Sequence, residues 1–331
     1  MPASNRRREQ GRGERVLPGA WRLRLPLSLP GVPHCNAWAL AHGDGIVLVD
    51  TGMHEPGSLA ELERALGQVG LALGQVRLVV CTHAHADHYG QAGTVVDAIG
   101  CELWMHPDHA HTTAAAEDPD AALARRLEVA RQSGVPPGPL ERYAEVARGR
   151  GSGISRLVAP DRDLVAGVEV RSDLGAWTVH ETPGHAPSHV CLFQAQRRML
   201  ISGDHLLGRV SLYFDYGWTP DPVGEFLGSL DRVGALDARL CLAGHARTFT
   251  DVAAHIAANR ALVARRMGAV EQVLATHGPI SAYDAVPLVY GEPITPHNAG
   301  WWLSETLCYL RHLQVIGRAR QEEGDPERWR A

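Results

Sequence analysis

Short apolar segments rich in β-branched residues alternate with amphipathic segments from residue 16 to residue 255. Apolar segments such as 46–49, 76–81 and 240–243 have the length and composition of buried β-strands. The segment 59–69 instead places its apolar residues three and four positions apart, which predicts an amphipathic helix. Because strands that alternate with helices are typical of α/β proteins, we expect residues 16–255 to form one α/β domain.

Three other parts of the chain interrupt or flank this alternation. Residues 1–15 are polar and rich in arginine, which predicts a disordered tail. Residues 106–156 contain amphipathic helical segments between two strands, so we expect a helical insertion that acts as a lid. Residues 256–331 contain three helical segments, and residues 315–319 are typical of the start of a small β-wing. The chain is therefore predicted to end in a winged-helix-like appendage.

Composition limits the classes of function. The chain has 331 residues, a formal net charge of −5, 45% hydrophobic residues and 21% charged residues, as expected of a globular protein. No basic block follows residue 15, so we do not expect a nucleic acid partner, although a winged helix commonly reads DNA. We expect the appendage to pack against the main domain or to form a homodimer.

Cysteines and apolar segments bear on location. The six cysteines form no CxxC pair and lie mostly in apolar segments, where a thiol is usually a small buried hydrophobe. Residues 1–15 lack the apolar core of a signal peptide, and no apolar segment reaches the length of a membrane span. These features predict a cytoplasmic protein without membrane association. The absence of lysine excludes mechanisms that require a lysine side chain.

Histidines are concentrated in the segment 82–88, THAHADH, which directly follows a predicted buried strand. His83 and His85 lie two positions apart, so an extended backbone directs both side chains to the same side. Asp87 and His88 fall where the chain must turn, and they can face a second point nearby. Imidazole and carboxylate ligands together suit Zn²⁺, with iron and manganese less preferred. The pattern therefore predicts a metal site rather than a solvated histidine-rich loop.

Three more strand ends carry residues of the same kind. His185, Asp204 and His245 each follow a predicted strand, and a glycine directly precedes each of them. Glycine lets the backbone turn sharply at such a position. We therefore expect these side chains and the segment 82–88 to meet at one edge of the sheet.

These motifs resemble those of the metallo-β-lactamase-fold hydrolases. The resemblance covers residues 16–255 and rests on DTG at 50–52, THAHADH at 82–88, PGH at 183–185, GD at 203–204 and GH at 244–245. It implies an αββα sandwich with metal ions between the exposed edges of two sheets. It also implies a ligand set, in which His83, His85 and His185 bind one ion, Asp87, His88 and His245 bind the second, and Asp204 bridges both. Asp50 would lie beneath the site and orient a ligand.

The resemblance also implies a reaction. Two divalent ions, which we expect to be zinc, activate a bridging hydroxide that attacks a carbonyl or phosphoryl centre, and Asp87 carries the proton. Asp204 is typical of the branch that contains glyoxalase II, the N-acyl-homoserine lactonases, the RNA-processing nucleases and the phosphodiesterases. Because the sequence lacks the extra basic motifs of the nucleases, we expect a small-molecule thioester, ester or lactone as the substrate. The segment 256–331 resembles that of a subgroup of small hydrolases, which includes β-lactamase-like proteins and polyketide thioesterases.

Two alternative functions remain open at this point. A phosphodiesterase or ribonuclease of the same fold would share the ligand set, and a persulfide dioxygenase-like oxidoreductase would use one iron and the ligands of the first ion. Tyr213 and Tyr216, in an aromatic loop, are candidates for contact with the substrate. His106, His109 and His111, at the start of the insertion, are expected to be solvated loop residues.

Overall fold

Two β-sheets pack face to face, and helices cover the outer face of each sheet. The structure is a computed structural model, which describes residues 10–29, 31–149 and 151–331. Apolar side chains from both sheets fill the space between them, where Trp38 and Trp177 are fully buried in one cluster. The predicted αββα sandwich is therefore confirmed.

The first sheet follows the order of the chain. Within the described residues it consists of β1 Arg12–Leu17, β2 Ala20–Leu29, β3 Val32–His42, β4 Gly45–Val49, β5 Val76–Val80, β6 Glu102–Met105 and β7 Arg162–Asp163. The pairs β1–β2, β2–β3 and β3–β4 are antiparallel. The pairs β4–β5, β5–β6 and β6–β7 are parallel. Because parallel strands share one direction, the carboxyl ends of β4, β5 and β6 lie at one edge, where the segment 82–88 begins.

The second sheet ends at the same edge. In the described ranges it consists of β8 Glu169–Ser172, β9 Gly175–Glu181, β10 Val190–Gln194, β11 Met199–Gly203 and β12 Leu240–Ala243. Their order across the sheet is β12-β11-β10-β9-β8, with β11 and β12 parallel and the other pairs antiparallel. The carboxyl ends of β11 and β12 therefore lie side by side, which places Asp204 near His245.

Helices flank both sheets and form the insertion and the C-terminal segment. They are α1 Ser58–Gln68, α2 Ala86–Tyr89, α3 Ala92–Ile99, α4 Ala110–Glu117, α5 Pro119–Gln132, α6 Pro137–Arg148, α7 Pro222–Gly234, α8 Val252–His277, α9 Ala282–Tyr290 and α10 Ala299–Val315. Leu62 of α1 and Val95 of α3 are buried against the first sheet, and Leu230 of α7 and Leu310 of α10 are buried in the cluster outside the second sheet. No helix in the part of the chain that the structure describes has both the length and the apolar character needed to cross a membrane.

Several helices begin with the same capping arrangement. At the first turns of α5, α7, α8 and α9, a side-chain oxygen accepts a hydrogen bond from the backbone N–H three residues later; the capping residues are Asp118, Asp221, Asp251 and Ser281. A cap of this kind contributes about 1 kcal/mol to stability. Polar residues therefore determine where these helices begin.

The predicted N-terminal tail is in part a strand. Strand β1 begins at Arg12, so the prediction of disorder is wrong for residues 12–15, whereas residues 1–9 lie outside the described part of the chain. Strand β1 pairs with β2, and Glu14 forms an ion pair of 2.8 Å with Arg22. Backbone pairing with a neighbouring strand thus outweighs the polar composition of this segment.

The C-terminal segment is helical, as predicted, but its small sheet begins later than expected. Helix α10 extends to Val315, and residues 316–319 form a turn rather than a strand. The sheet consists of β13 Arg320–Glu322 and β14 Arg328–Arg330. The insertion also contains a helix that was not predicted, α4, because its residues have no amphipathic pattern.

Candidate metal centre

The side chains predicted as metal ligands lie together at one edge of the sandwich. Strand β5 of the first sheet leads directly to His83 and His85, and the short helix α2 that follows contains Asp87 and His88. The remaining candidate ligands follow strands β9, β11 and β12 of the second sheet; they are His185, Asp204 and His245. Both sheets therefore contribute candidate ligands to one site.

Among the described residues, the candidate ligand atoms form two groups that share no member, and a further group of His83, His88 and Asp204 overlaps both. Within each group the atoms lie within 4.8 Å of one another: His83, His85 and His185 form the first, and Asp87, His88 and His245 form the second. In the first group, Nδ1 of His85 lies 3.0 Å from Nε2 of His185. In the second group, Oδ2 of Asp87 lies 3.2 Å from Nε2 of His245. The two groups match the two ligand sets that the resemblance implies.

Asp204 lies between the two groups. Its Oδ1 atom is 3.3 Å from Nε2 of His88 in the second group. Its Oδ2 atom is 3.2 Å from Nε2 of His245 and 3.7 Å from Nε2 of His185, which belongs to the first group. One carboxylate therefore contacts both groups, as a bridging ligand requires.

The polar atoms of the cluster fit divalent cations. Nε2 of His83 and Oδ1 of Asp204 are buried and have no hydrogen-bond partner among the described residues. A buried polar atom without a partner costs about 1–3 kcal/mol. Nε2 of His88 also lies 3.4 Å from Nε2 of His245, so two imidazole nitrogens point at the same place. Imidazoles and carboxylates that converge in this way form the donor set that zinc prefers.

Each candidate histidine has its other ring nitrogen next to a second group. The partner of Nδ1 is Oγ1 of Thr82 for His83 at 3.0 Å, Oδ2 of Asp50 for His88 at 2.8 Å, the carbonyl of Tyr213 for His185 at 3.1 Å and the carbonyl of His34 for His245 at 2.9 Å. His85 is the exception, because its Nε2 lies 2.8 Å from Oδ2 of Asp215 and its Nδ1 faces the cluster. Such partners fix the orientation of the ring and determine which of its two nitrogens remains to bind a metal.

Asp50 lies beneath both groups. Its Oδ1 accepts a hydrogen bond of 2.7 Å from the backbone N–H of Thr82, and its Oδ2 accepts one of 2.9 Å from the Thr82 hydroxyl. Oδ2 also lies 2.8 Å from Nδ1 of His88. Asp50 has a φ of +64°, a conformation that costs a non-glycine residue about 1–3 kcal/mol. These hydrogen bonds offset that strain and place the carboxylate where it orients His88.

The glycines before the ligands act in two different ways. Gly203 has a φ of +46°, and a Cβ atom there would lie 2.6 Å from Nε2 of His189. Gly244 has no positive φ, but a Cβ atom there would lie 2.2 Å from Oδ1 of Asp204. The sharp turn expected from the sequence therefore occurs at Gly203 and also at Gly184, whose φ is +125°, whereas Gly244 provides room for the Asp204 carboxylate.

The carboxylates of the cluster stabilise positive charge. Burial lowers the pKa of His245, but Asp204 and Asp87 outweigh burial and raise that pKa to about 10. Burial likewise lowers the pKa of His88, and the same two carboxylates raise it well above its ordinary value. Burial, together with His85, lowers the pKa of His185 to about 4, so this imidazole is neutral at pH 7. The site thus combines a neutral imidazole with an electrostatic environment that favours cations.

Comparison with known families agrees with this geometry. A sequence model of the family described as the metallo-beta-lactamase superfamily matches residues 30–245, more than half of the chain. The chain belongs to the metallo-β-lactamase superfamily. The matched range begins before Asp50 and ends at His245, so it contains every predicted metal ligand.

Relatives within the metallo-β-lactamase superfamily share moderate sequence identity with this chain. The probable metallo-hydrolase YqjP of Bacillus subtilis (strain 168) is 28% identical over 227 residues, which cover 66% of this chain and 69% of that protein. The Beta-lactamase-like protein 2 homolog of Caenorhabditis elegans is 22% identical over 267 residues, which cover 81% of this chain and 73% of that protein.

Solved metallo-β-lactamase structures extend the likeness to the C-terminal helices. A metallo-beta-lactamase family protein from Thermus thermophilus has a TM-score of 0.80 and 26% identity, over 96% of this chain and 99% of that chain. A Beta-lactamase domain protein from Burkholderia ambifaria has a TM-score of 0.80 and 27% identity, over 96% of this chain and 93% of that chain. Coverage of 96% necessarily includes most of residues 256–331, which lie beyond the family match.

Behind His85 lies a set of hydrogen bonds that the sequence did not indicate. Oδ2 of Asp215 is 2.8 Å from Nε2 of His85 and 2.8 Å from Nδ1 of His111. Nε2 of His111 is 2.8 Å from Oγ of Ser188, which accepts a hydrogen bond from the backbone N–H of Ala84. His111 lies in α4 and is buried, as is His106, so the prediction of solvated loop residues is wrong for both. The insertion therefore contacts the metallo-β-lactamase site through α4.

The two candidate substrate residues occupy different environments. The ring centre of Tyr213 is 5.7 Å from that of His85 and 5.6 Å from that of His185. Tyr216 instead packs against the apolar cluster between the second sheet and its helices. The structure thus places Tyr213 beside the candidate ligands, whereas the position of Tyr216 shows a packing role. Contact of either residue with a substrate stays a prediction.

Proposed function

We propose that this chain is a hydrolase that uses two zinc ions to cleave a thioester, ester or lactone bond. The observation that carries this proposal is the position of Asp204, whose carboxylate lies 3.3 Å from His88, 3.2 Å from His245 and 3.7 Å from His185. A site for a single ion has no need of a carboxylate shared between two ligand groups. Two divalent ions held here would acidify a water molecule and polarise a substrate carbonyl.

Asp87 is the residue that we assign to proton transfer. Its carboxylate lies 3.2 Å from Nε2 of His245, and its side chain is 15% exposed, so a substrate at the cluster can reach it. Burial raises the pKa of Asp87, but the imidazoles of His88 and His245 outweigh this effect and hold the pKa below its ordinary value. The ionised carboxylate can accept a proton from the attacking water and pass it to the leaving group.

Nearby thiols do not compete as nucleophiles. Cys35 and Cys81 are fully buried, and burial raises the pKa of both thiols well above the ordinary value. Because a cysteine attacks as its thiolate, these side chains are unreactive near neutral pH. This supports direct attack by water over a covalent enzyme intermediate.

Contacts around the site support a small substrate. The guanidinium of Arg125 in α5 lies 4.4 Å from the ring centre of Trp218 and donates a hydrogen bond of 2.6 Å to the carbonyl of Gly217. His111 of α4 contacts Asp215 in the same loop at 2.8 Å. These contacts join the insertion to the aromatic loop beside the ligands, which leaves less room for a polymer such as RNA. The description of YqjP as a probable metallo-hydrolase supports hydrolysis and names no substrate.

Elemental analysis combined with a substrate panel tests the proposed function. We expect about two zinc ions per chain and hydrolysis of thioesters, esters or lactones, because the two ligand groups share Asp204. The panel should include a phosphodiester, a β-lactam and a persulfide. One iron per chain with oxygen uptake on the persulfide, or hydrolysis of the phosphodiester alone, would contradict the proposal.

A further inference from the structure

A cavity lies between the C-terminal helices and the loop that precedes Tyr213. Its volume is about 280 Å³, and its walls come from α8, α9, α10 and residues 210–212. Small-molecule sites typically have volumes of about 300–1,000 Å³, so this cavity suits a compact ligand or one end of a longer ligand. None of the predicted metal ligands lines it.

Aromatic side chains make one wall of this cavity flat and rigid. The rings of Tyr290 and Trp302 stack with their centres 4.4 Å apart and their planes at 9°. The guanidinium of Arg266 lies 4.1 Å from the centre of the Tyr290 ring, so a cation lies beside the two stacked rings. Trp301, which is 37% exposed, adds a further ring to the lining. Flat aromatic surfaces of this kind favour a planar apolar ligand.

The charged groups of the cavity favour an anion. Within residues 10–29, 31–149 and 151–331, no carboxylate lies close enough to the guanidinium of Arg266 to form a direct ion pair, although Arg266 acts at longer range on Glu305, whose pKa burial raises and Arg266 lowers. Glu305 also lines the cavity, but its two oxygens accept hydrogen bonds of 2.8 Å from the hydroxyls of Tyr290 and Tyr309. The positive charge of Arg266 would repel a cationic ligand. An anionic ligand would gain a charge-assisted hydrogen bond from the guanidinium.

Tyr213 connects the cavity with the metal centre. Its ring centre lies 5.5 Å from that of Trp301 and 5.6 Å from that of His185. Tyr213 does not line the cavity, but its ring contacts both Trp301, which does, and the candidate ligand His185. One aromatic ring therefore separates the cavity wall from the candidate ligands, so a substrate of moderate length can place its reactive bond at the ligands and its far end in the cavity.

We propose that this cavity binds the planar, anionic far end of the ester or thioester substrate, with Arg266 as the residue that selects the anion. The inference rests on the proposed function, because it assigns the cavity to the substrate of that reaction. The expected ligand chemistry is an aromatic or conjugated ring system that carries a carboxylate or sulfonate-like group. Arg266 and the Tyr290–Trp302 stack are the specificity determinants.

Calorimetric titration of the zinc-loaded, full-length protein tests the binding site. The probes are naphthalene-2-sulfonate and methyl 2-naphthyl sulfone, which keeps the ring and lacks the charge. Arg266→Gln should weaken sulfonate binding at least about tenfold, as expected for loss of a charge-assisted hydrogen bond, and should leave sulfone binding unchanged. Arg265→Gln is the matched control, because Arg265 is exposed on the adjacent position of α8 and does not line the cavity. Equal sulfonate binding by wild type and Arg266→Gln would overturn the proposal.

A kinetic experiment separates this inference from the proposed function. The substrates are two thioesters that differ only in a far-end naphthalene-2-sulfonate or naphthalene group on a flexible chain. Arg266→Gln should raise KM about tenfold for the sulfonated thioester alone, with kcat unchanged. Sulfonate binding that depends on Arg266 without this change in KM would overturn the assignment of the cavity to the substrate. Absence of any ester, thioester or lactone hydrolysis, with Arg266-dependent binding intact, would contradict the proposed function and support the binding site.

Discussion

Nε2 of His85 lies 2.8 Å from Oδ2 of Asp215, although 130 positions separate the two residues in the chain. This contact leaves Nδ1 of His85 to face the cluster, where it lies 3.0 Å from Nε2 of His185. The same carboxylate oxygen lies 2.8 Å from Nδ1 of His111 in the insertion. The geometry of the first ligand group therefore depends on an acceptor that also holds the insertion in place.

Replacement of Asp215 by Asn should weaken zinc binding by the first ligand group. Asn keeps the shape of the side chain but removes the charge that holds His85 and His111. Loss of the outer partner of a metal-binding histidine typically costs about 10- to 100-fold in metal affinity. Competition with a chromophoric zinc chelator measures this affinity. Asp120→Asn, on an exposed position of α5, is the control, and equal zinc affinity in the two variants would contradict the positioning role.

The convergence of the candidate ligands could be predicted from the sequence because each candidate, or the segment that contains it, follows a strand. Strand segments are marked by their apolar periodicity, and their carboxyl ends meet at one edge once the sheets form. Asp215 follows no strand and no glycine, and long-range contacts place it behind His85, among them the hydrogen bonds from its own N–H to the His185 carbonyl and from Ser304 to the Phe214 carbonyl. No local pattern in the sequence marks such a residue.

The secondary structure shows the same difference between features with a local sequence pattern and features that depend on long-range contacts. Helices with an amphipathic face, such as α1, were predicted, because one face packs on a sheet and leaves a periodic pattern. Helix α4 was missed because it is held partly through the hydrogen bonds of His111, which leave no apolar periodicity. Strand β1 was missed between residues 12 and 15 because its stability comes from backbone pairing with β2. Tertiary contacts outweigh local composition in both segments.

Replacement of Asp204 by Ala should reduce the metal content from two ions towards one. Asp204 contacts ligands of both groups, at 3.3 Å from His88 and 3.7 Å from His185, so each site would lose a ligand. Both groups keep three candidate ligands, but the negative charge between the two ions is lost, so their mutual repulsion is no longer offset and one ion is held more weakly. Elemental analysis of the purified variant measures the metal content. Two ions per chain in this variant would remove Asp204 from the bridging position.

Replacement of Asp87 by Asn should preserve most of the metal but lower the rate at least ~10²-fold, the scale of lost general acid–base catalysis. The amide can still coordinate through its oxygen, but it cannot carry a proton between water and leaving group. Metal content and kcat should be measured on the same preparation, so that loss of metal is not mistaken for loss of proton transfer. Near-normal turnover in a metal-loaded Asp87→Asn variant would contradict the assignment.

Replacement of Glu305 by Gln should make stability less dependent on pH. Burial raises the pKa of Glu305, so the folded protein holds this proton more tightly than the unfolded chain does. The contribution of Glu305 to stability is then complete below the ordinary glutamate pKa and is lost as the pH rises through the raised value. Because glutamine does not titrate, the free energy of unfolding of Glu305→Gln, relative to wild type, should increase as the pH rises above the ordinary glutamate pKa. Urea denaturation at a series of pH values measures the difference, and Glu292→Gln, at an exposed position after α9, should show a constant difference. A constant difference for Glu305→Gln as well would show that Glu305 titrates alike in the folded and unfolded chains.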